Sequence, residues 1–207
     1  MLLWMLSSIR FPLESRFKMS SKKRELFFAR FRRRRNIMDH GGDLLKTLDQ
    51  MVNDQFESVE FKNFLAVPLT LERGRFYVVQ SGLYTSNRRD CWGYVQGAAP
   101  LAVKRVIWEH ESDELVNDPR AGMDHYTLTV KQGEVIGLKP EDFEKAEVPA
   151  MVRACFYAWH HIALRSHWLT AYTSSHMLER RNNGKIVKGG GMSYRVGKKF
   201  ENELGIN

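Results

Sequence analysis

Structural sulfur is scarce in this chain, with two cysteines, Cys91 and Cys155, among 207 residues. They cannot make a disulfide scaffold, and neither stands in a C-x-x-C pair, so a reducing compartment is the default setting. Six prolines and fifteen glycines exclude a collagenous or proline-rich chain. No run reaches the roughly 18 apolar residues of a membrane span. Phosphate-cradling loops are absent too, because Gly189-Gly190-Gly191 lacks both the G-x-G-x-x-G spacing and a preceding strand. There is no G-x-S-x-G. His110-Glu111 is followed by Ser112-Asp113-Glu114, which does not complete H-E-x-x-H.

What is there suffices for one domain with a sizeable core: 43% of positions are apolar and 12% aromatic, which argues against disorder. The net charge of +8 is unevenly placed. Residues 1–37 carry eleven Lys/Arg against Glu14 and Glu25, whereas the remaining 170 residues carry 21 Lys/Arg against 22 acids. The body is thus nearly neutral, and a nucleic-acid-binding face on it is not expected. The basic leader, with its Arg32–Arg35 run, has no signal-peptide core. It reads as an anion-binding arm, an organellar targeting segment, or a stretch ahead of the true start at Met19 or Met38. Residues 38–207 are expected to form the domain, with a cytoplasmic location.

The periodicity of the body is helical. Leu44, Leu45, Leu48, Met51, Val52 and Phe56 form one apolar stripe. Further helical runs are expected over about 71–86 and 88–98, before Pro100, and then from Leu101 to about Asn117. After an Asp118–Gly122 turn, helices are expected over about 123–136, from Pro140, from Pro149 to about Arg165, over 168–182, and over 192–204. No stretch alternates with period two for long enough to suggest a sheet. The fold class expected is all-α.

The densest polar cluster is Trp108-Glu109-His110-Glu111-Ser112-Asp113-Glu114, within an otherwise apolar helix. Glu111 and Glu114, and likewise His110 and Glu114, share a helix face. Carboxylates and imidazoles aimed into a helical bundle are how dimetal sites are assembled, since oxygen and nitrogen donors must converge from several helices. The same spacing also describes a solvated charged face. A chain reversal could return His125 towards Glu111 and Glu114, and His176 and Glu179 form another pair on a later helix. Cys155, in Arg153-Ala-Cys-Phe-Tyr-Ala-Trp-His-His161, would need a nearby base or cation to act as a nucleophile.

Four stretches, taken in order, carry a family resemblance. They are Arg75-Phe-Tyr-Val-Val-Gln-Ser-Gly-Leu-Tyr84; Val106-Ile-Trp-Glu-His-Glu-Ser-Asp-Glu-Leu115 with Asp124-His-Tyr126 and Ile136-Gly-Leu-Lys-Pro-Glu-Asp142; the helix around Ala154–Leu164; and Trp168-Leu-Thr-Ala to Ser-Ser-His-Met-Leu-Glu179. Together they resemble the haem-oxygenase-like helical proteins of the TenA/PqqC group, most closely the CADD-like non-haem dimetal oxidases. The resemblance covers about residues 40–206. It implies a multi-helix bundle, and it implies metal ligands at Glu111 (or Glu114), His125 and Glu179. Further family ligands, in an H-x-x-x-D-x-x-H type pattern, lie on a later helix that this sequence stops short of at Asn207. The resemblance therefore implies an incomplete bundle offering about half of a dimetal site.

The activity so implied is oxidation of a small organic substrate by dioxygen at Fe(II), dinuclear in a complete form, with Mn as another metal that suits the donors. A homodimer and no membrane-spanning segment are expected alongside it. The TenA branch implies an alternative, a thiaminase-like pyrimidine C–N hydrolase with Cys155 as nucleophile. A non-catalytic remnant or interaction module is the third reading.

Overall fold

The computed structural model describes residues 41–206, so the leader (residues 1–37) and its three readings lie outside the described residues. By contacts the chain divides into residues 1–46 and 47–207. Among the described residues there are nine helices and no strand. The all-α expectation holds at that level. No described helix is long and apolar enough to cross a membrane.

Helix α1 is the helical stretch up to residue 57, and α2 is Val59–Ala66, separated from it by Ser58. Ser58 caps α2 by accepting a hydrogen bond from the Phe61 amide, one of the orphan donors of a helix start. This short helix was not anticipated from the sequence. The central element is α3, Leu71–Ala98, capped by Thr70. Its 28 residues span roughly 42 Å at about 1.5 Å per residue. The two separate runs expected over 71–86 and 88–98 are one continuous helix, because no Gly-Pro break intervenes and neighbours on several sides bury it.

Pro100, which cannot continue a helix, turns the chain into α4, Leu101–Leu115. Helix α5, His125–Val135, follows, its Asp124 cap accepting from both the amide and the hydroxyl of Thr127. Helix α6 is Pro140–Glu144, α7 is Ala150–Arg165, α8 is Trp168–Arg180, and α9 is Met192–Leu204. Gly205, in the left-handed conformation, closes α9. Helix α3 packs against α4, α5, α6, α7 and α8, so it is the axis about which the bundle is built.

Two features of packing position the site. Cys91, Trp92 and Val95 of α3, Ile107 of α4, Ala163 of α7 and Ala171 of α8 share one core cluster, with Trp159 and Tyr172 against it. This cluster fixes α4 and α8 on the same side of α3. At the other end, Gly82 of α3 and Gly133 of α5 admit the ring of Phe143: a Cβ at Gly133 would stand 2.7 Å from Phe143 Cζ. That approach holds α5 close to α3, and with it His125 at the start of α5.

Candidate metal centre

The central helix carries two adjacent arginines in its buried middle, and each meets a carboxylate from another helix. Arg88 Nη2 donates to Glu179 Oε1 of α8 at 2.6 Å, and Arg89 Nη1 donates to Glu114 Oε2 of α4 at 2.6 Å. Glu111 and Glu114 are only 9% and 7% exposed. Glu111 and Glu114 are therefore turned inward, whereas Trp108, Glu109 and Ser112 of the same stretch face solvent. Sequence inspection missed Arg88 and Arg89. The available signal was a pair of charges flanked by Tyr84, Cys91 and Trp92 within a helix that is otherwise packed.

His110 stands between the two helices. Its Nε2 lies 3.9 Å from Glu114 Oε1 and 3.7 Å from Glu179 Oε1. Donor atoms of His110, Glu114 and Glu179 all fall within 4.8 Å of one another, a spacing a single cation can bridge. His110 also packs edge-on against Trp92, at 5.5 Å between ring centres. Burial lowers its pKa, and the nearby carboxylates only partly offset this. A neutral imidazole is the form that binds metal.

His125 is brought back to α4 as the chain reversal suggested, but it meets only one of the two expected glutamates. Its Nδ1 lies 2.9 Å from Glu114 Oε2, and its Nε2 lies 3.0 Å from Asp118 Oδ2. An imidazole can donate from both nitrogens only as the cation. The Glu114 hydrogen bond, working against burial and joined by Asp118, accordingly lifts its pKa to about 9. Asp118 is itself clamped by Arg120, whose Nε donates to Oδ1 at 2.9 Å and whose Nη2 donates to Oδ2 at 2.7 Å. That clamp and His125 hold the Asp118 carboxyl far below the usual range. His125 thus props Glu114 from behind, on the oxygen that does not face His110.

The two glutamates of α4 end in opposite states. Burial opposes the ionisation of Glu114, yet the His125 hydrogen bond and the Arg89 charge outweigh it and bring the pKa down to about 2. Burial dominates at Glu111, with Arg89 offsetting it in part, and raises the pKa to about 7. Arg89 Nη1 comes within 3.4 Å of Glu111 Oε1, but neither Glu111 oxygen accepts a hydrogen bond, although both are shut off from solvent. A buried carboxyl without a donor is costly and therefore informative.

These observations test whether a first-row metal suits the site. The donors are imidazole nitrogen and carboxylate oxygen, the set iron and manganese take, and beside them Glu111 is a carboxyl that accepts no hydrogen bond. Arg88 and Arg89 already neutralise Glu179 and Glu114, so binding a dication requires the guanidiniums to yield part of their contact. The donor set fits on chemistry, with Arg88 and Arg89 as internal counter-ions.

The remaining sequence candidates lie elsewhere. His176 stacks on Tyr172 at 5.8 Å, and burial lowers its pKa. Cys155 is exposed on α7. The buried cysteine is Cys91, whose thiol burial pushes up to about 11, the opposite of an activated nucleophile. Compared with protein-family models, curated proteins and solved structures, the chain finds no significant match.

Proposed function

We propose that this chain is an iron-dependent oxidoreductase of a haem-oxygenase-like, TenA/PqqC-like helical type, oxidising a small organic substrate with dioxygen at a non-haem centre in the bundle. The observation that carries the reading is the convergence of His110, Glu114 and Glu179 from two helices within 4.8 Å. Glu114 and Glu179 supply the carboxylates and His110 the imidazole, with Glu111 as a further oxygen donor. Ferrous iron, when bound, supplies the electrons that let dioxygen react with an organic molecule. The ligand set expected from the sequence is thereby amended: His110 joins it, and His125 acts through Glu114.

The chain's own residues then have separable tasks. His125, held between Glu114 and Asp118, fixes the orientation of the Glu114 carboxylate. Arg88 and Arg89 keep the acidic residues compatible with burial before a cation arrives. Glu111, with its pKa at about 7, can hold or release a proton near neutrality. Trp92, edge-on to the His110 ring at 5.5 Å, covers the imidazole on one side. The hydrolase alternative lacks comparable support, because Cys155 faces outward.

Anaerobic Fe(II) titration of the chelator-treated protein, with metal analysis after gel filtration, tests the proposal. Retention of iron by the wild type and its loss in Glu114→Gln and Glu179→Gln are expected. A folded wild type that retains no iron leaves a charge-balanced structural network in place of an enzyme.

A further inference from the structure

The outer face of α4 carries a line of apolar side chains turned to solvent. Leu101, Trp108 and Leu115 are 64%, 69% and 58% exposed, and Val116, which caps the helix, is exposed beside Leu115. The three are spaced by seven residues, close to two full turns, so they point the same way from the helix. An exposed tryptophan between two exposed leucines on one helix face marks an association surface. The inner face of the same helix holds His110, Glu111 and Glu114, so the two faces have separate tasks.

The line is symmetric about its middle. Trp108 is the central residue of the fifteen in α4, with Leu101 at one end and Leu115 at the other. Two copies of α4 laid antiparallel across a two-fold axis beside Trp108 set tryptophan against tryptophan. The same arrangement sets Leu101 against the partner's Leu115. The charges on the flank agree. Arg105 and Glu109 are exposed on one side of the line, and neither side chain has a partner among the described residues. Within one helix Arg105 precedes Glu109, the weaker order for a pair four residues apart. In the antiparallel arrangement Arg105 and the partner's Glu109 share a flank and lie about 3 Å apart along the axis, and the pair occurs twice. The outer face of α7 makes the contrast. It exposes Met151, Tyr157 and Leu164, but the helix carries Arg153 and Arg165 and no acid, so two copies set together there would repel.

We propose that the outer face of α4 is a homodimer interface, with Trp108 at the two-fold axis, Leu101 and Leu115 at its ends and Arg105 paired to the partner's Glu109. A helix of this length spans about 22 Å, and its face against a second copy buries on the order of 1,000 Å² in total, the low end for a specific interface. The dimer is therefore a weak one. It does not rest on the iron reading, because none of these side chains belongs to the metal cluster.

Sedimentation velocity of the metal-free full chain, from about 1 to about 200 μM, tests the proposal. Dimerisation with a dissociation constant of about 10 μM is expected, from a protomer of 24.2 kDa. Trp108→Glu should weaken the dimer by more than about tenfold, and Arg105→Glu or Glu109→Arg by about tenfold each. The double variant Arg105→Glu/Glu109→Arg should regain the wild-type constant, because the exchanged charges again meet across the axis. All these positions are exposed, and circular dichroism checks that each variant is folded. A monomer throughout the range overturns the proposal, whether residues 1–40 or another protein covers the line. A dimer unaffected by Trp108→Glu, or a charge exchange without recovery, overturns it as well.

Discussion

Replacing Glu111 by Gln should make the metal-free protein more resistant to unfolding above neutral pH, an unusual gain for a change at a buried charged residue. A carboxyl with its pKa at about 7 in place of 4.5 is costlier to ionise in the folded protein than in the unfolded chain, by about 3 kcal/mol. The side chain is only 11% exposed, so solvent screening removes little of that penalty. The sign follows from the raised pKa. The folded state binds the extra proton, so the favourable contribution is complete below pH 4.5 and fades as pH rises through about 7. Glutamine cannot ionise and escapes this loss. Urea unfolding of both proteins in chelator, from about pH 5 to about pH 8.5, should show similar stability at the acid end. The variant should then pull ahead by about 2–3 kcal/mol at the alkaline end. A difference that stays flat with pH would refute the reasoning, because Glu111 would then ionise like an exposed glutamate. The same variant should retain less iron, since it removes an oxygen donor.

Other perturbations follow from the same geometry. His125→Gln leaves Glu114 and Asp118 without their shared cation and should cost about 3–5 kcal/mol by urea unfolding near pH 6. Because His125 has a raised pKa, its contribution is complete below 6.5 and is lost as pH rises through about 9, so the cost should shrink at alkaline pH. Glu114 has the opposite sign: its ionised form stabilises the fold above pH 4.5, and wild-type stability should fall with acid down to about pH 2. Ile107→Ala, at a side chain 1% exposed, should lose about 2–5 kcal/mol in the same assay. Gly133→Ala drives a methyl to 2.7 Å from the buried Phe143 ring and should cost about 1–3 kcal/mol.

The helical class was legible in the sequence because apolar positions recur at helical spacing and because Pro100, Pro140 and Pro149 punctuate them. The end of α9 at Leu204 was legible for the same reason, with Gly205 just after it. Helix α2 escaped notice because its residues bury little and show no full apolar stripe. Within the site, Glu111, Glu114, His125 and Glu179 stood out as donor types on expected helices. What spacing could not reveal was which donors meet. That depends on the packing of α4 and α8 against α3 through Trp92, Ile107 and Ala171, which puts His110, rather than His125, opposite Glu179. Arg88 and Arg89 were missed for a related reason, although their apolar flanks hinted at burial. Charged side chains on a helix read as solvent-facing until a carboxylate from another element is known to meet them.

The most direct trial of the central claim is anaerobic Fe(II) binding to wild type and to the Glu114→Gln/Glu179→Gln double variant, quantified by metal analysis on protein shown to be folded. Iron retained by the wild type and lost by the variant is the outcome predicted from the convergence of His110, Glu114 and Glu179. Equal retention by both, or none by either, would contradict it.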